Sequence, residues 1–286
     1  MANALEVNRL TKRYKDFKLD EVSFVLPKGS IMGFIGENGA GKTTTIKAIL
    51  NLVKTDSGSV QILGMDNKKN EKQIKQEIGV VFDGSNFHDA LKAKDISKIM
   101  KGIYANWDDS LFNEYLRKLK IPIAKTVKEY SRGMKMKLAI AAALSHHPRL
   151  LLLDEATGGL DPIMRNEVLD ILLDFIQDEE KAVFFSSHII GDLEKIADYI
   201  TFIHEGKIIF MESKDDLIYN YGIMKCGADD FIKIDPNDIV GYQKNHFGCE
   251  ILVRDKSKMA HKYPDFLIDQ TNIEEIMLYY VKGEKR

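Results

Sequence analysis

A glycine-rich segment that directly follows a short apolar run constrains this chain more than any other feature. The run Ile31–Ile35 is typical of a strand that is buried on both faces. The segment after it fits the pattern G-x-x-x-x-G-K-[S/T], and Thr44–Val53 then has apolar residues at helical spacing. Glycines let the backbone curl so that its N–H groups point inward around phosphates, and the following helix directs its positive dipole end at the same anion. The sequence therefore predicts a strand, a phosphate-binding loop and a helix.

This loop indicates a nucleotide site. The Lys42 ammonium is expected to reach the β- and γ-phosphates, and the Thr43 hydroxyl is expected to bind Mg²⁺. The predicted ATP-binding residues of this segment are Gly36, Glu37, Asn38, Gly39, Ala40, Gly41, Lys42, Thr43 and Thr44.

Composition excludes several classes of protein. The formal net charge of −2 lacks the basic excess of a general nucleic-acid binder. The longest unbroken apolar run, Leu138–Leu144, is far shorter than the ~20 residues that a membrane-spanning helix needs. The first residues have no basic segment followed by an apolar one, so no secretory signal is expected. Two cysteines are too few for a disulfide scaffold and suit a reducing cytosol.

The rest of the chain alternates between strand-like and helix-like patterns. Residues from about 89 to 147 have helical spacing, and the adjacent His146 and His147 are expected to be solvated at the end of this block. A mixed α/β core with an inserted helical block is expected. After about residue 216 the pattern changes to short strand-like runs and a final amphipathic helix. The other predicted strands are Leu5–Val7, Val22–Leu26, Leu150–Leu153, Val183–Phe185, Ile200–Ile203, Lys207–Phe210, Asp229–Ile234 and Glu250–Val253. A last helix is predicted at Ile273–Lys282.

Two acids follow the predicted strand Leu150–Leu153. Ligands of open α/β sheets bind at the carboxyl ends of strands, so Asp154 and Glu155 are expected in the site. One acid can bind Mg²⁺ and the next can orient an attacking water. Taken alone, the pair could equally be an ordinary strand end.

Further motifs in a fixed order resemble a known family. Tyr130–Lys137 precedes the acidic pair, and Gly159–Pro162 and Ser186–His188 follow it. With the phosphate loop, this set resembles the nucleotide-binding subunit of ATP-binding-cassette (ABC) transporters over about residues 5 to 215. The resemblance implies a RecA-like P-loop NTPase fold: a mixed-sheet core, an antiparallel β subdomain and an inserted helical subdomain at about 88–148. Residues 216–286 would form a small α+β extension.

The resemblance implies a nucleotide site completed by two subunits. Tyr14 is similar to the aromatic residue that stacks on adenine, and Asp161 to the aspartate that links the two sites across the dimer. The signature segment would contact the γ-phosphate of ATP bound to the opposite subunit, and its residues are Ser131, Arg132, Gly133 and Met134.

The same resemblance assigns the catalytic residues. Glu155 is similar to the catalytic glutamate, and His188 to the histidine that bonds the γ-phosphate. The implied magnesium ligands are Thr43, Asp83 and Asp154. The implied activity is hydrolysis of ATP with Mg²⁺.

Three positions depart from the family pattern. Asp83 stands where a glutamine is usual, so a carboxylate there could still bind the metal but adds negative charge near phosphate. Arg132 replaces the commoner glycine of the signature, and Ala156 replaces the commoner proline after the acidic pair.

The motif order and the extension of about 70 residues resemble bacterial ABC-2-type exporters of antimicrobial or toxin peptides, such as bacitracin, lantibiotics or phenol-soluble modulins. The implied partners are a separate transmembrane permease and a second ABC subunit, identical or different. The chain would then act in the cytoplasm, peripherally on the inner face of the membrane, and would contact no nucleic acid.

Two other functions stay open at this point. A soluble ABC ATPase that acts on ribosomes or DNA is one, although this chain has a single cassette and no sustained heptads. A phosphate-loop kinase is the other, and it would leave the signature and the Gly159–Asp161 segment without a role.

Overall fold

A computed structural model describes residues 3–84, 86–246 and 248–284 and divides them into two compact units. Unit 1 extends to Ala197 and also includes Ile203–Ile208, whereas unit 2 contains Asp198–Phe202 and the chain from Ile209 onwards. Within the described ranges, no helix combines the length and the apolar character that crossing a lipid bilayer requires.

Unit 1 alternates strands and helices. Its strands are β1 (Asn3–Arg13), β2 (Lys18–Pro27), β3 (Ser30–Ile35), β4 (Ser57–Ile62), β5 (Met65–Asp66), β6 (Ile78–Val81), β7 (Leu150–Asp154) and β8 (Ala182–Ser187). Its helices are α1 (Lys42–Ile49), α2 (Glu71–Glu77), α3 (Ala93–Ile103), α4 (Asp109–Lys118), α5 (Arg132–Leu144), α6 (Pro162–Phe175) and α7 (Ile190–Ile196).

Two sheets form the framework of unit 1. Strands β3, β8, β7 and β6 lie side by side in that order and pair in parallel. Strands β2, β1, β4 and β5 form a separate antiparallel sheet. Every residue of β3, β7 and β8 is buried, as expected for parallel strands covered on both faces. The predicted P-loop α/β fold with an antiparallel β subdomain is confirmed.

Three phenylalanines connect these two sheets. Phe24 of β2, Phe34 of β3 and Phe184 of β8 have ring centroids 5.1 to 5.4 Å apart. All three side chains are buried, so the cluster removes a large apolar area from water and fixes one sheet against the other.

The helical block is confirmed as α3, α4, a short 3₁₀ turn at Val127–Glu129, and α5. The expectation that both neighbouring histidines are solvated is wrong for His146, which is buried, and right for His147. The His146 ring stacks on Tyr104 with centroids 3.8 Å apart, and its Nε2 lies 3.0 Å from the Ile78 carbonyl. Burial lowers the pKa of His146, so its ring favours the neutral form that this apolar site accepts.

A hairpin of β9 (Tyr199–His204) and β10 (Lys207–Ser213) contributes residues to both units. The other elements of unit 2 are α8 (Lys214–Asn220), β11 (Tyr221–Cys226), β12 (Gly241–Asn245), β13 (Gly248–Arg254), α9 (Lys256–Lys262), β14 (Leu267–Gln270) and α10 (Ile273–Lys282). Strands β12, β13, β11 and β14 form an antiparallel sheet in that order.

The strand expected at Asp229–Ile234 is wrong. This segment forms a turn and a 3₁₀ helix, Phe231–Lys233. Phe231 and Ile234 both enter the core of unit 2, whereas Ile232 is exposed. A spacing of three between the two buried residues fits a tight helical turn, which the short run did not distinguish from a strand.

Replacing Phe184 with Ala should lower the free energy of unfolding of unit 1 by about 3 to 5 kcal/mol, because the change removes a fully buried ring. Trp107, the one tryptophan of the chain, lies in unit 1, so its fluorescence during urea unfolding reports on this unit. Ile123→Ala is the control: this side chain is largely exposed, and its loss should change the free energy by less than about 0.5 kcal/mol. Equal losses in the two variants would contradict the role of the cluster.

Candidate functional site

Three segments of the predicted site begin at the same edge of the parallel sheet. In the register of β3, β8 and β7, Phe34 pairs with Ser186 and Asp154 also pairs with Ser186. Each strand therefore ends at nearly the same level, and the phosphate loop, His188 and Glu155 follow directly. Ligands of α/β sheets bind at this carboxyl edge.

The phosphate loop leads into α1 through a glycine that no other residue could replace without strain. Gly41 is the N-cap of α1 and has a φ of +113°. A Cβ there would lie 2.8 Å from Leu19 and 2.9 Å from the Phe17 ring. The helix predicted from Thr44 begins at Lys42 and ends at Ile49, so both Lys42 and Thr43 lie in its first turn. Backbone N–H groups at a helix start form a site for phosphate.

Lys42 is buried and its ammonium has defined partners. Its Nζ donates to the carbonyl oxygens of Gly36 at 2.6 Å and Glu37 at 3.2 Å. The same Nζ lies 3.1 Å from Oε1 of Glu155. The lysine predicted to bind phosphate and the predicted catalytic carboxylate thus form an ion pair.

Glu155 also contacts His188, the histidine predicted to bond the γ-phosphate. Its Oε2 lies 2.5 Å from Nδ1 of His188. The Glu155 side chain is 14% exposed and the His188 ring 47% exposed, so the pair faces solvent on the histidine side. Glu155 has a φ of +52°, a conformation that costs energy for a residue with a side chain and that is found at functional sites.

The other acid of the pair contacts α1. Asp154 is buried, and its Oδ2 accepts a hydrogen bond of 2.8 Å from the Thr43 hydroxyl. A hydroxyl and a carboxylate are hard oxygen ligands of the kind that Mg²⁺ prefers, and this ion usually takes one or two carboxylates together with substrate phosphates and water. No group of three or more His, Cys, Asp or Glu that could bind a metal occurs among the described residues. Thr43 and Asp154 therefore fit a magnesium ion that arrives with a nucleotide.

Ser186 belongs to the motif Ser186–His188, but the sequence assigned it no role in the site. Its Oγ donates a 2.7 Å hydrogen bond to Asp154 Oδ1 and accepts one of 3.2 Å from the Glu155 backbone N–H. It thus fixes both acids from the neighbouring strand. The sequence did contain a signal for this role, because two serines end the otherwise apolar strand β8, whose neighbour β7 ends at the acidic pair.

Tyr14 lies in the turn between β1 and β2. Its ring is 47% exposed and 6.4 Å from the ring of Phe17, the residue that also approaches Gly41. An exposed aromatic face beside the phosphate loop is able to stack on a nucleobase. The adenine contact stays a prediction for Tyr14.

The signature segment forms the start of α5. Ser131 is the N-cap, and its Oγ accepts a 3.2 Å hydrogen bond from the Met134 backbone N–H. Gly133 packs against Met164, where a Cβ would come within 2.5 Å of the methionine methyl. Asp161 caps α6 by accepting bonds from the Ile163 and Met164 N–H groups. The starts of α5 and α6 are therefore packed together, while the contacts predicted across a dimer stay predictions.

Asp83, the predicted metal ligand that departs from the family pattern, has a different partner. Its Oδ1 lies 2.8 Å from an Nη atom of Arg132, the other charged departure. Both side chains are about half exposed. The structure thus brings Lys42, Thr43, Asp154, Glu155 and His188 into one network and joins Asp83 to the signature segment.

Comparisons with known proteins agree with this geometry. A family model described as ABC transporter matches residues 19–158. The chain is similar to the bacitracin transport ATP-binding protein BcrA of Bacillus licheniformis, with 37% identity over 73% of this chain and 69% of the relative. It is similar to the lantibiotic transport ATP-binding protein SrtF of Streptococcus pyogenes, with 35% identity over 74% and 91%. A solved structure described as the ATP binding subunit of ABC transporter has a TM-score of 0.68 and 25% identity, over 75% of this chain and 91% of that one.

Replacing Lys42 with Ala should weaken ATP binding by about ten- to a hundredfold, because a buried, charge-assisted contact to phosphate is removed. Isothermal titration of the purified chain with ATP measures the change. Lys47→Ala is the matched control, since Lys47 lies on the exposed side of the same helix and the substitution removes the same charge. An equal affinity of both variants would contradict the site.

Replacing Glu155 with Gln should lower the turnover number for ATP by about 10² to 10⁴, the usual contribution of a positioned general base. The amide keeps the shape of the side chain but cannot take a proton from water, so ATP should still bind. Steady-state phosphate release and ATP titration test the two parts separately. Glu179→Gln, at an exposed turn, removes the same charge elsewhere, and slow turnover in this variant too would argue against a specific role of Glu155.

Proposed function

The chain belongs to the ABC transporter family as an ATP-binding and ATP-hydrolysing subunit, and we propose that it powers the export of antimicrobial peptides or peptide-like drugs. The observation that best supports ATP hydrolysis is the position of the Glu155 carboxylate, which contacts both Lys42 and His188 at the edge of the parallel sheet. Two relatives are named as ATP-binding proteins of bacitracin transport and of lantibiotic transport, and these names support the same substrate class for this chain. Those relatives are transport proteins, so they do not support an ATPase that acts on ribosomes or DNA.

The proposed mechanism uses each side chain for one task. Lys42 neutralises negative charge on the β- and γ-phosphates, and Glu155 orients the attacking water and takes its proton. His188 donates a hydrogen bond to the γ-phosphate, where negative charge builds up in the transition state. Mg²⁺, when bound with ATP, supplies further positive charge at the phosphates, and Thr43 and Asp154 would bind it. Ser186 keeps both acids in position.

The site is proposed to be completed by a second ABC subunit. The exposed Ser131 lies at the N-terminus of α5, where free N–H groups and the helix dipole suit a phosphate of the opposite subunit. Asp161 would communicate between the two sites, and Tyr14 would stack on adenine. Closure of the two subunits around ATP is the step that would change the conformation of the membrane permease.

That partner is a separate membrane permease, as for other ATP-binding subunits of transporters, and the chain would act at the inner face of the membrane through it. A groove of about 230 Å³ on unit 1 is a suitable contact surface. It lies beside β6, which leads to Asp83, and apolar side chains line most of it. Leu52 and Ile103 are each more than half exposed at this groove, and exposed apolar groups that cluster mark interaction sites.

Replacing Leu52 with Glu should separate the chain from its permease, because a charge in an apolar contact must be desolvated without a partner. The tagged variant should recover less permease than the wild type from detergent-solubilised membranes. Cells with this variant should also lose resistance to the exported peptide, measured as growth against bacitracin and lantibiotics. ATP binding by the purified variant should persist, since Leu52 is not among the predicted nucleotide contacts.

Ile123→Glu is the control, because this exposed apolar side chain is not part of the groove. If both variants recover the permease equally, the groove is not the contact surface. If resistance to every peptide tested is the same with wild-type chain and with Glu155→Gln, export of such peptides is not its function.

A further inference from the structure

Two positions that depart from the family pattern contact each other. Asp83 follows β6 and Arg132 begins α5, so the pair lies 49 residues apart in sequence and joins two different segments. The 2.8 Å contact between Asp83 Oδ1 and the Arg132 guanidinium is an ion pair as well as a hydrogen bond. The two side chains therefore act as one feature.

The Arg132 guanidinium also covers the loop that follows Glu155. A Cβ at Gly159 would lie 2.5 Å from one guanidinium nitrogen and 2.9 Å from its central carbon. Gly159 has a φ of +69°, a backbone conformation that favours glycine, so no Cβ lies between this loop and the guanidinium. Next to it, a Cβ at Gly158 would be 3.8 Å from both Arg132 and His188. One side chain thus spans the Asp83 loop and the loop between Glu155 and Asp161.

The charge of Asp83 explains how an arginine is tolerated at this place. Arg132 is the first residue of α5, whose first turn contains no acidic side chain. A cation near a helix N-terminus opposes the helix dipole, whereas an anion there is favourable. The Asp83 carboxylate supplies that anion from outside the helix.

We propose that Arg132 is a positioning residue of the ATPase reaction. Its ion pair with Asp83 and its contact with Gly159 keep the signature segment, the Asp83 loop and the Glu155–Asp161 loop in one arrangement. This inference rests on the proposed function, because the positioned groups matter only if the chain hydrolyses ATP. Asp83 then serves the signature segment through its bond to Arg132.

The size of the effect follows from exposure. Both side chains are about half exposed, and ion pairs of this kind give changes of roughly two- to fivefold rather than complete loss. Salt screens such pairs, because the Debye length falls to about 3 Å at 1 M ionic strength.

A double-mutant cycle on kcat/KM for ATP tests the pair. Asp83→Asn and Arg132→Gln should each lower kcat/KM about two- to fivefold, and the double variant should be no worse than the weaker single variant. The charge-reversed variant, Asp83→Arg with Arg132→Asp, should recover part of the loss. Arg132→Lys should be intermediate, because a lysine keeps the charge but not the planar group over Gly159. The advantage of the wild type over Arg132→Gln should shrink between about 0.1 M and 1 M salt.

The neighbouring pair of Lys135 and Asp89 is the matched control. It joins the same helix to the same stretch of chain, with 3.0 Å between Lys135 Nζ and Asp89 Oδ1. If the Asp83–Arg132 pair affects activity only as any ion pair of this region would, a second cycle with Lys135→Gln and Asp89→Asn should show an equally large coupling in kcat/KM. We expect the losses in the Lys135 and Asp89 cycle to be additive, and a coupling in kcat/KM only between Asp83 and Arg132. Trp107 fluorescence confirms that each variant is folded.

The outcomes separate the two hypotheses. Wild-type protein that hydrolyses ATP, with strictly additive losses at Asp83 and Arg132 and no rescue by charge reversal, would overturn the positioning role and leave the proposed function intact. Wild-type protein that neither binds nor hydrolyses ATP would overturn both.

Discussion

The parallel pairing of β3, β8 and β7 is the constraint on which the site depends. Because the three strands are in register, Gly36, His188 and Glu155 each follow a strand end at the same edge. The side chains of a strand alternate between its faces, so a shift of one residue would move Asp154 and Ser186 out of contact. All residues of these strands are buried, so packing on both faces of the sheet holds the strand ends in place. The precision of the site is thus a property of the apolar core beneath it.

Electrostatics at this edge balances stability against function. A buried ammonium requires an opposite charge, and Glu155 supplies it to Lys42. A buried carboxylate requires donors, and Asp154 receives them from Thr43 and Ser186. In the proposed mechanism the same side chains act on the substrate: Lys42 binds phosphate, Asp154 and Thr43 bind the metal, and Glu155 orients water. The left-handed backbone of Glu155 adds a strain that the surrounding contacts must offset.

The sequence was most informative where chemistry imposes a fixed spacing. The phosphate loop, the acids after β7 and the last helix were predictable, because local patterns determine them. Ser186 was part of a recognised motif but was assigned no role, because its role depends on a hydrogen bond to the neighbouring strand. His146 was expected to be solvated, yet Tyr104 and the Ile78 carbonyl, both distant in sequence, bury it. Phe231 and Ile234 enter the core from a 3₁₀ turn, and a run of six residues could not distinguish this turn from a strand.

Strand β6 connects the apolar groove with the ion pair of Asp83 and Arg132. Val80 and Phe82 line the apolar groove, and Asp83 follows them directly. From Asp83 the contacts continue through Arg132 to Gly159, next to the segment that contains Glu155 and Asp161. A force on the groove would therefore reach the signature and the catalytic carboxylate through adjacent atoms. Because salt screens an exposed ion pair, coupling between the proposed permease groove and the ATPase site should weaken at high ionic strength.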